Sequence, residues 1–280
     1  MKIIFFGSSS YCLPVLKSLN NNFSLSCIVT KPGGFVSDFA AKNHVTSFTP
    51  NNEQELLSLK EQLHSLKPDL AIVADFGMII PPDIFNIPKH KTLNIHFSRL
   101  PDLRGASPVQ FTILRGDKSA WISIIIMDEG LDTGDIVWQK EFLHNKLDIL
   151  NTKEVYRKLF EIAGDYLPDV IKKYTAGELK PHPQDHSQAT YSKTLTREVG
   201  YTQFEKINTE DVARKLRAFT PWPGIWTKVK IKGVEKRLRI LSAHSENEKT
   251  VLDVVQLEGK KPVSWKQFLE GYPELKPVEV

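Results

Sequence analysis

Short apolar runs alternate with helical periodicities through the first half of the chain. Residues 2–6, Lys-Ile-Ile-Phe-Phe, are closed by Gly7 and three serines, and Leu13, Val15, Leu16 and Leu19 then repeat at helical spacing, with Pro14 acceptable in a first turn. The pattern continues with a strand over 26–30, an amphipathic helix over 53–66 and a buried strand over 70–74. Such a beat predicts a parallel sheet with helices on its faces. Another short strand, over 92–96, runs into a loop holding Pro101 and Gly105, followed by a helix over 108–114 and a strand over 121–127. The stretch 128–135 is dense in acid and glycine and reads as a loop ahead of a strand over 136–139. Both loops are therefore expected to leave neighbouring strands at one end of the sheet, the carboxyl end, where the sites of open parallel sheets lie.

A long helical pattern over 153–174 is followed by a polar stretch punctuated by Pro181, Pro183, Ser187 and Ser192. A chain of 280 residues suits two domains of unequal size. We expect the first over 1–185, a linker over 186–206 and a second domain over 207–280. The second domain should open with a helix over 209–217, pass a Pro-Trp-Pro-Gly turn and continue as a hairpin over 226–239, so it reads as β-rich.

Composition narrows the class. Hydrophobic residues make up 41% and charged residues 25%, ordinary values for a globular chain. The opening apolar run is too short for a membrane span and lacks the shape of a signal peptide, so a cytoplasmic protein without a membrane partner is expected, and a monomer by default. Cys12 and Cys27 stand in no metal or redox spacing and read as core thiols; no metal site is expected. The Gly7-Ser-Ser-Ser10 loop lacks the three-glycine fingerprint of a dinucleotide site, which argues against a dehydrogenase. A net charge of +4 is compatible with an anionic partner without requiring one.

Asn94 and His96 lie two apart on a strand end, so their side chains share a face. Acyl transfer to an amine needs a donor for the developing oxyanion and a group that exchanges a proton, and an amide with an imidazole supplies both. A carboxylate must orient the imidazole or take the amine's proton, and Asp132 in the second loop is the choice. A lone Asn-x-His is more often a satisfied polar pair, and an acidic Gly-rich loop is more often a turn. Their expected exit from adjacent strands favours the catalytic reading.

The segment Asn94-Ile-His-Phe-Ser-Arg-Leu-Pro-Asp-Leu-Arg-Gly105, followed by Ser107-Pro108, resembles the Asn-x-His-x-Ser-Leu-Leu-Pro-x-x-Arg-Gly motif of folate-dependent formyltransferases. Gly130-Leu-Asp-Thr-Gly-Asp135 is similar to that family's second motif. The resemblance implies a Rossmann-like α/β formyltransferase domain with a parallel-type sheet and a small β-rich, OB-like C-terminal domain. It also implies catalytic roles for Asn94, His96 and Asp132, and 10-formyltetrahydrofolate as donor, with Ser98, Arg99, Leu100 and Pro101 lining the folate pocket. Arg99 stands where a leucine is usual in the family. An aromatic near the acceptor's amino-acid side chain corresponds to Tyr11.

Two branches of the family differ in acceptor. Gln184-Asp185 with Ala189-Thr-Tyr191, Arg217-Ala-Phe-Thr-Pro-Trp-Pro-Gly224, and Leu257-Glu-Gly-Lys-Lys-Pro-Val-Ser264 with Phe268-Leu269 resemble the branch acting on charged initiator tRNA in translation initiation. The rival is a sugar-nucleotide N-formyltransferase. In the tRNA branch a basic loop follows the second strand; the corresponding stretch over 31–43 reads as a short loop charged only at Lys31, Asp38 and Lys42. Basic residues gather instead at Lys228, Lys230, Lys232, Lys236, Arg237 and Arg239, against Glu235 alone. Lys228, Lys230 and Lys232 are expected on one strand face as phosphate contacts, with an ordinary solvated face as the bland alternative. Trp222 and Trp226 read as packing residues.

Overall fold

The computed structural model describes residues 1–207, 210–246 and 249–275, and the chain divides into two compact units. The first comprises 1–108, 120–142 and 156–192; the second comprises 109–119, 143–155 and 193 onward. The expected segment 186–206 contains a two-residue strand, Tyr191–Ser192, and three short 3₁₀ turns.

In the first unit the strands in chain order are β1 (Lys2–Phe6), β2 (Ser24–Val29), β3 (Ser47–Phe48), β4 (Leu70–Val73), β5 (Thr92–His96), β6 (Arg104–Gly105), β7 (Ala120–Ile126), β8 (Ile136–Phe142) and β9 (Tyr191–Ser192). Seven of them form one sheet in the order β3-β2-β1-β4-β5-β7-β8, and β6 pairs with β9. From β3 to β5 every pairing is parallel. The apolar runs explain why: Ile3 to Phe6 and Leu70 to Val73 are buried on both faces, as a strand between two helical layers must be.

One face of this sheet packs Ile4, Phe6, Val29 and Val73 against Leu56 and Leu63. Truncating Leu63, which is fully buried, to alanine would cost about 2–5 kcal/mol. The expected helix over 53–66 divides at Leu59 into α3 (Glu53–Ser58) and α4 (Lys60–Ser65). The Ser58 hydroxyl donates to the Glu55 carbonyl at 2.7 Å, in competition with the helical ladder. Preceding them are α1 (Leu13–Asn22) and α2 (Phe35–Lys42); following them is the single turn α5 (Pro82–Phe85).

Helix α2 corrects the reading of 31–43 as a loop. Val36 and Ala40, four apart, bury one side of the helix, Asp38 lies in its first turn and Lys42 in its last. Helix α6 (Pro108–Arg115) and the long α7 (Thr152–Thr175) follow. Pro168 inside α7 has no N–H for the Gly164 carbonyl, and the Ser18 hydroxyl takes that acceptor at 2.5 Å. No described helix is long and apolar enough to cross a membrane.

A second correction concerns direction. Strand β7 runs antiparallel to β5, with Leu93 opposite Ile126 and His96 opposite Ser123, and β8 is antiparallel to β7. The loops after β5 and β7 therefore leave at opposite ends, not at one end as expected. The buried Ile run of β7 fits either direction, so periodicity could not decide it.

Besides α6 from residue 109 and the first turn of α7, the second unit holds α8 (Glu210–Ala218), a four-stranded antiparallel sheet in the order β10 (Ile225–Ile231), β11 (Val234–Glu246), β12 (Lys249–Leu257), β13 (Val263–Ser264), and α9 (Trp265–Gly271). Thr209, the expected start of α8, lies outside the described residues. The capping box of Ser264 and Gln267 starts α9. Strands β10 and β11 meet in a two-residue turn with Lys232 at φ 49° and Gly233 at φ 81°, the left-handed pair such a hairpin requires. This moves Lys232 off the strand face assigned to it and onto the hairpin tip.

Candidate active site

Asn94 and His96 share one face of β5, as period-two alternation dictates. Asp132 reaches them although its loop starts at the other end of β5, where Met127 N–H donates to the Thr92 carbonyl. The loop doubles back: Asp128 Oδ1 accepts from Gly130 N–H and the Thr133 hydroxyl, and Gly134 lies so close to the Ile126 carbonyl that no Cβ fits. Asp132 itself takes φ 52°, a left-handed conformation that Asp tolerates better than most residues. The backbone of Asp135, the next carboxylate along the loop, closes the strand ladder with Ile126, and the residue is exposed.

The carboxylate of Asp132 is held from three sides. Asn94 Nδ2 donates to Oδ1 at 3.1 Å, Gly105 N–H donates to Oδ2 at 2.8 Å, and His96 Nδ1 lies 3.4 Å from Oδ2. The other ring nitrogen, Nε2, is 3.0 Å from the Leu103 carbonyl. Both ring nitrogens thus face oxygen atoms, Nε2 at hydrogen-bonding distance and Nδ1 in a longer contact with the carboxylate.

The 97–105 loop is shaped to present these groups. Leu103 sits at φ 55°, unusual for a bulky residue, and its N–H donates to the Thr190 hydroxyl at 2.9 Å. Gly105 has φ 103°, and a Cβ there would meet the Ser192 carbonyl at 2.7 Å, so the donor to Asp132 must be glycine. Below the loop, the buried Ser123 hydroxyl donates to the Ser98 carbonyl at 2.5 Å, and Gln139 Nε2 donates to the Leu100 carbonyl at 3.0 Å.

The four residues expected around the folate divide in two. Ser98 and Leu100 are buried, Ser98 donating to the Asp102 carbonyl and Leu100 packing with Ile125 and Ile136. Arg99 is exposed, its guanidinium 4.9 Å over the Trp121 ring, and Pro101 is half-buried. Tyr11 joins the aromatic cluster of Tyr156, Phe160 and Phe97, the last adjacent to His96 in sequence. Burial, and then the charge of Asp75, raise the Tyr11 hydroxyl above its usual range, and the same two causes push the Cys12 thiol up to about 12.

In the second unit, Lys228 and Lys230 are exposed on one face of β10. Lys228 stands opposite Arg237 and pairs with Glu235 at 2.6 Å, which raises its ammonium above the usual range. Arg237 covers the Trp226 ring at 4.2 Å while the indole N–H donates to the Arg197 carbonyl. The exposed face therefore carries Lys228, Lys230, Arg237 and Arg239, a cross-strand patch that a single-strand reading missed. Gln184, read in the sequence only as part of a branch motif, has an amide that donates to the carbonyls of Asp132 and Gly134 at 2.9 and 2.7 Å, a contact the motif did not foretell. Among the described residues no cluster of His, Cys, Asp and Glu could hold a metal.

A family model for formyl transferase matches residues 1–171, more than half the chain, and one for the formyl transferase C-terminal domain matches 194–253. The chain belongs to the formyltransferase family. This formyltransferase is 31% identical to the methionyl-tRNA formyltransferase of Carboxydothermus hydrogenoformans, over 98% of both chains. Its fold resembles the methionyl-tRNA formyltransferase from Clostridium thermocellum, with a TM-score of 0.66 and 23% identity over 92% of this chain and 98% of that one. It also resembles HypX from Aquifex aeolicus in complex with tetrahydrofolic acid, with a TM-score of 0.71 and 18% identity over 96% of this chain and 47% of that one. At these identities the structural likeness is one of fold.

Proposed function

We propose that this formyltransferase moves the formyl group of 10-formyltetrahydrofolate onto the α-amine of methionine carried by initiator tRNA, in support of translation initiation. The observation that carries the chemistry is the Asp132 carboxylate joined to both Asn94 and His96 over one strand face. The acceptor follows from similarity along nearly the full length of a methionyl-tRNA formyltransferase.

An amine attacking a formyl carbon drives negative charge onto the formyl oxygen, and donors aimed at that oxygen lower the barrier. Asn94 spends one amide hydrogen on Asp132 and keeps the second for this role. His96 becomes a second donor when Nε2 leaves the Leu103 carbonyl. Asp132 retains lone pairs beyond those used by Gly105 and Asn94, and accepts the amine's proton directly or through water; collapse of the tetrahedral intermediate then breaks the bond between the formyl carbon and N10 of the folate, and that proton passes to N10 as tetrahydrofolate leaves. Of the four folate-pocket residues, Arg99 offers the free chemistry: a planar guanidinium suited to a folate carboxylate. Tyr11 contributes an apolar wall for the methionyl side chain. The basic face of β10 and β11 takes tRNA phosphates, with Lys232 contributing from the hairpin tip. A cytoplasmic monomer of two domains, bounded near 185 and 207, completes the proposal.

Formylation of charged initiator tRNA should be compared with formylation of amino-sugar nucleotides, with the same folate donor. The tRNA is expected to be the substrate by a wide margin. Preferential formylation of the sugar nucleotide would replace the acceptor while leaving the chemistry of the site.

A further inference from the structure

The first unit contains a buried polar chain that the reaction above does not use. Arg104 is 2% exposed, and its guanidinium donates to Gln184 Oε1 from Nε at 3.2 Å and from Nη2 at 2.8 Å, and to His186 Nδ1 at 3.0 Å. Gln184, 5% exposed, turns its Nε2 to the carbonyls of Asp132 and Gly134. The amide orientation follows from the partners, since a guanidinium has only donors and must face Oε1. All four bonding positions of the Gln184 amide are then filled, two accepting and two donating.

Asp132 is consequently gripped at both ends from one dipeptide. Gly105 holds its carboxylate through the backbone, and the neighbouring Arg104 holds its carbonyl through Gln184. A left-handed non-glycine residue relaxes unless its surroundings over-determine it, and two bonds to the 132–134 backbone supply that constraint. We propose that Gln184 is a positioning residue for formyl transfer, acting through Asp132, with the buried Arg104 fixing the direction of its amide. The inference rests on the catalytic reading of Asp132.

Two variants test it. Gln184→Met keeps the length and removes every bond, whereas Gln184→Glu keeps an acceptor for Arg104 and sets a carboxylate oxygen against two carbonyls. Each should lower kcat about tenfold or more and change KM for either substrate by less than about threefold. In an Asp132→Asn background, single-turnover rates should fall by no more than about a further twofold, because residues acting through one another are not additive. Parental kcat in Gln184→Glu, or the same tenfold loss repeated on top of Asp132→Asn, would overturn the proposal. Should Gln184→Met lower the folded fraction, Gln184→Glu decides alone. Parental activity of Asp132→Asn by itself would sink the reading of the site, a result distinct from additivity.

Discussion

Asp132 accepts two hydrogen bonds, lies against an imidazole and is tied through its own carbonyl to a buried amide, whereas Lys230 stands exposed on β10 opposite Glu235. The difference follows from the tasks proposed for them. Formyl transfer requires charge held to a fraction of an ångström before the reaction begins, and fixed geometry requires burial and many partners. Phosphate binding requires charge that water can leave, on side chains free to adjust, and it carries no sequence information by itself. The first arrangement should fail abruptly under single substitutions and the second gradually.

The largest effects should come from the strand face of β5. Asn94→Ala or His96→Ala should lower kcat by about a hundredfold or more, the scale of a missing oxyanion donor, with the fold intact by circular dichroism. Near-parental turnover in either would remove the site assignment. Asp132→Asn preserves size and removes the charge, so activity should be low and should not recover as pH is raised. Activity equal to the parent at neutral pH would make Asp132 a turn residue.

Gly105→Ala should act on both stability and rate. At φ 103° with a carbonyl 2.7 Å from the new Cβ, it should lower stability by about 1–3 kcal/mol and reduce kcat with it. A melting transition unchanged by this substitution would mean that the loop yields freely and that Asp132 is not rigidly gripped.

The basic face should respond by degrees. Replacing Lys228, Lys230 and Lys232 together should flatten the dependence of log affinity for tRNA on log salt by up to about one unit for each phosphate no longer neutralised, with folate binding unchanged. The hairpin tip and the Glu235 pairing make the three unequal, and Arg237→Ala should sharpen the result by removing a fourth cation from the same face. An unchanged slope would leave that face merely solvated. Smallest of all should be the change on replacing Lys31 and Lys42, which flank and end a short helix holding little other charge.

Much of the site was legible because its residues are local in sequence. Asn94 and His96 fall two apart on a strand, and the acidic loop announces itself by composition. The reach of Asp132 was not legible for the reason expected, since β7 runs the other way and the loop doubles back. Gln184 was legible only as a motif residue, and its tie to the Asp132 loop was not, because the acceptors there are backbone carbonyls 50 and 52 residues away, which leave no signature in a sequence. Helix α2 escaped because Gly33, Gly34 and an uncharged composition masked the Val36 and Ala40 pair beneath them. The exposed lysines were legible as a group, but their division between strand and turn depended on where the hairpin closed.

The Gly105 N–H has a use beyond holding its partner. A glycine amide resonates in an uncrowded part of a nitrogen–proton correlation spectrum, and this one points at a carboxylate oxygen 2.8 Å away. Its proton shift should move when that carboxylate gains a proton, meets an amine or is replaced by an amide. Its exchange with deuterated water should be slow for a residue at the edge of a loop, since the hydrogen bond must open first. One resonance can therefore be followed through folate addition, tRNA addition and turnover, reporting on the carboxylate from inside the enzyme without a label on either substrate.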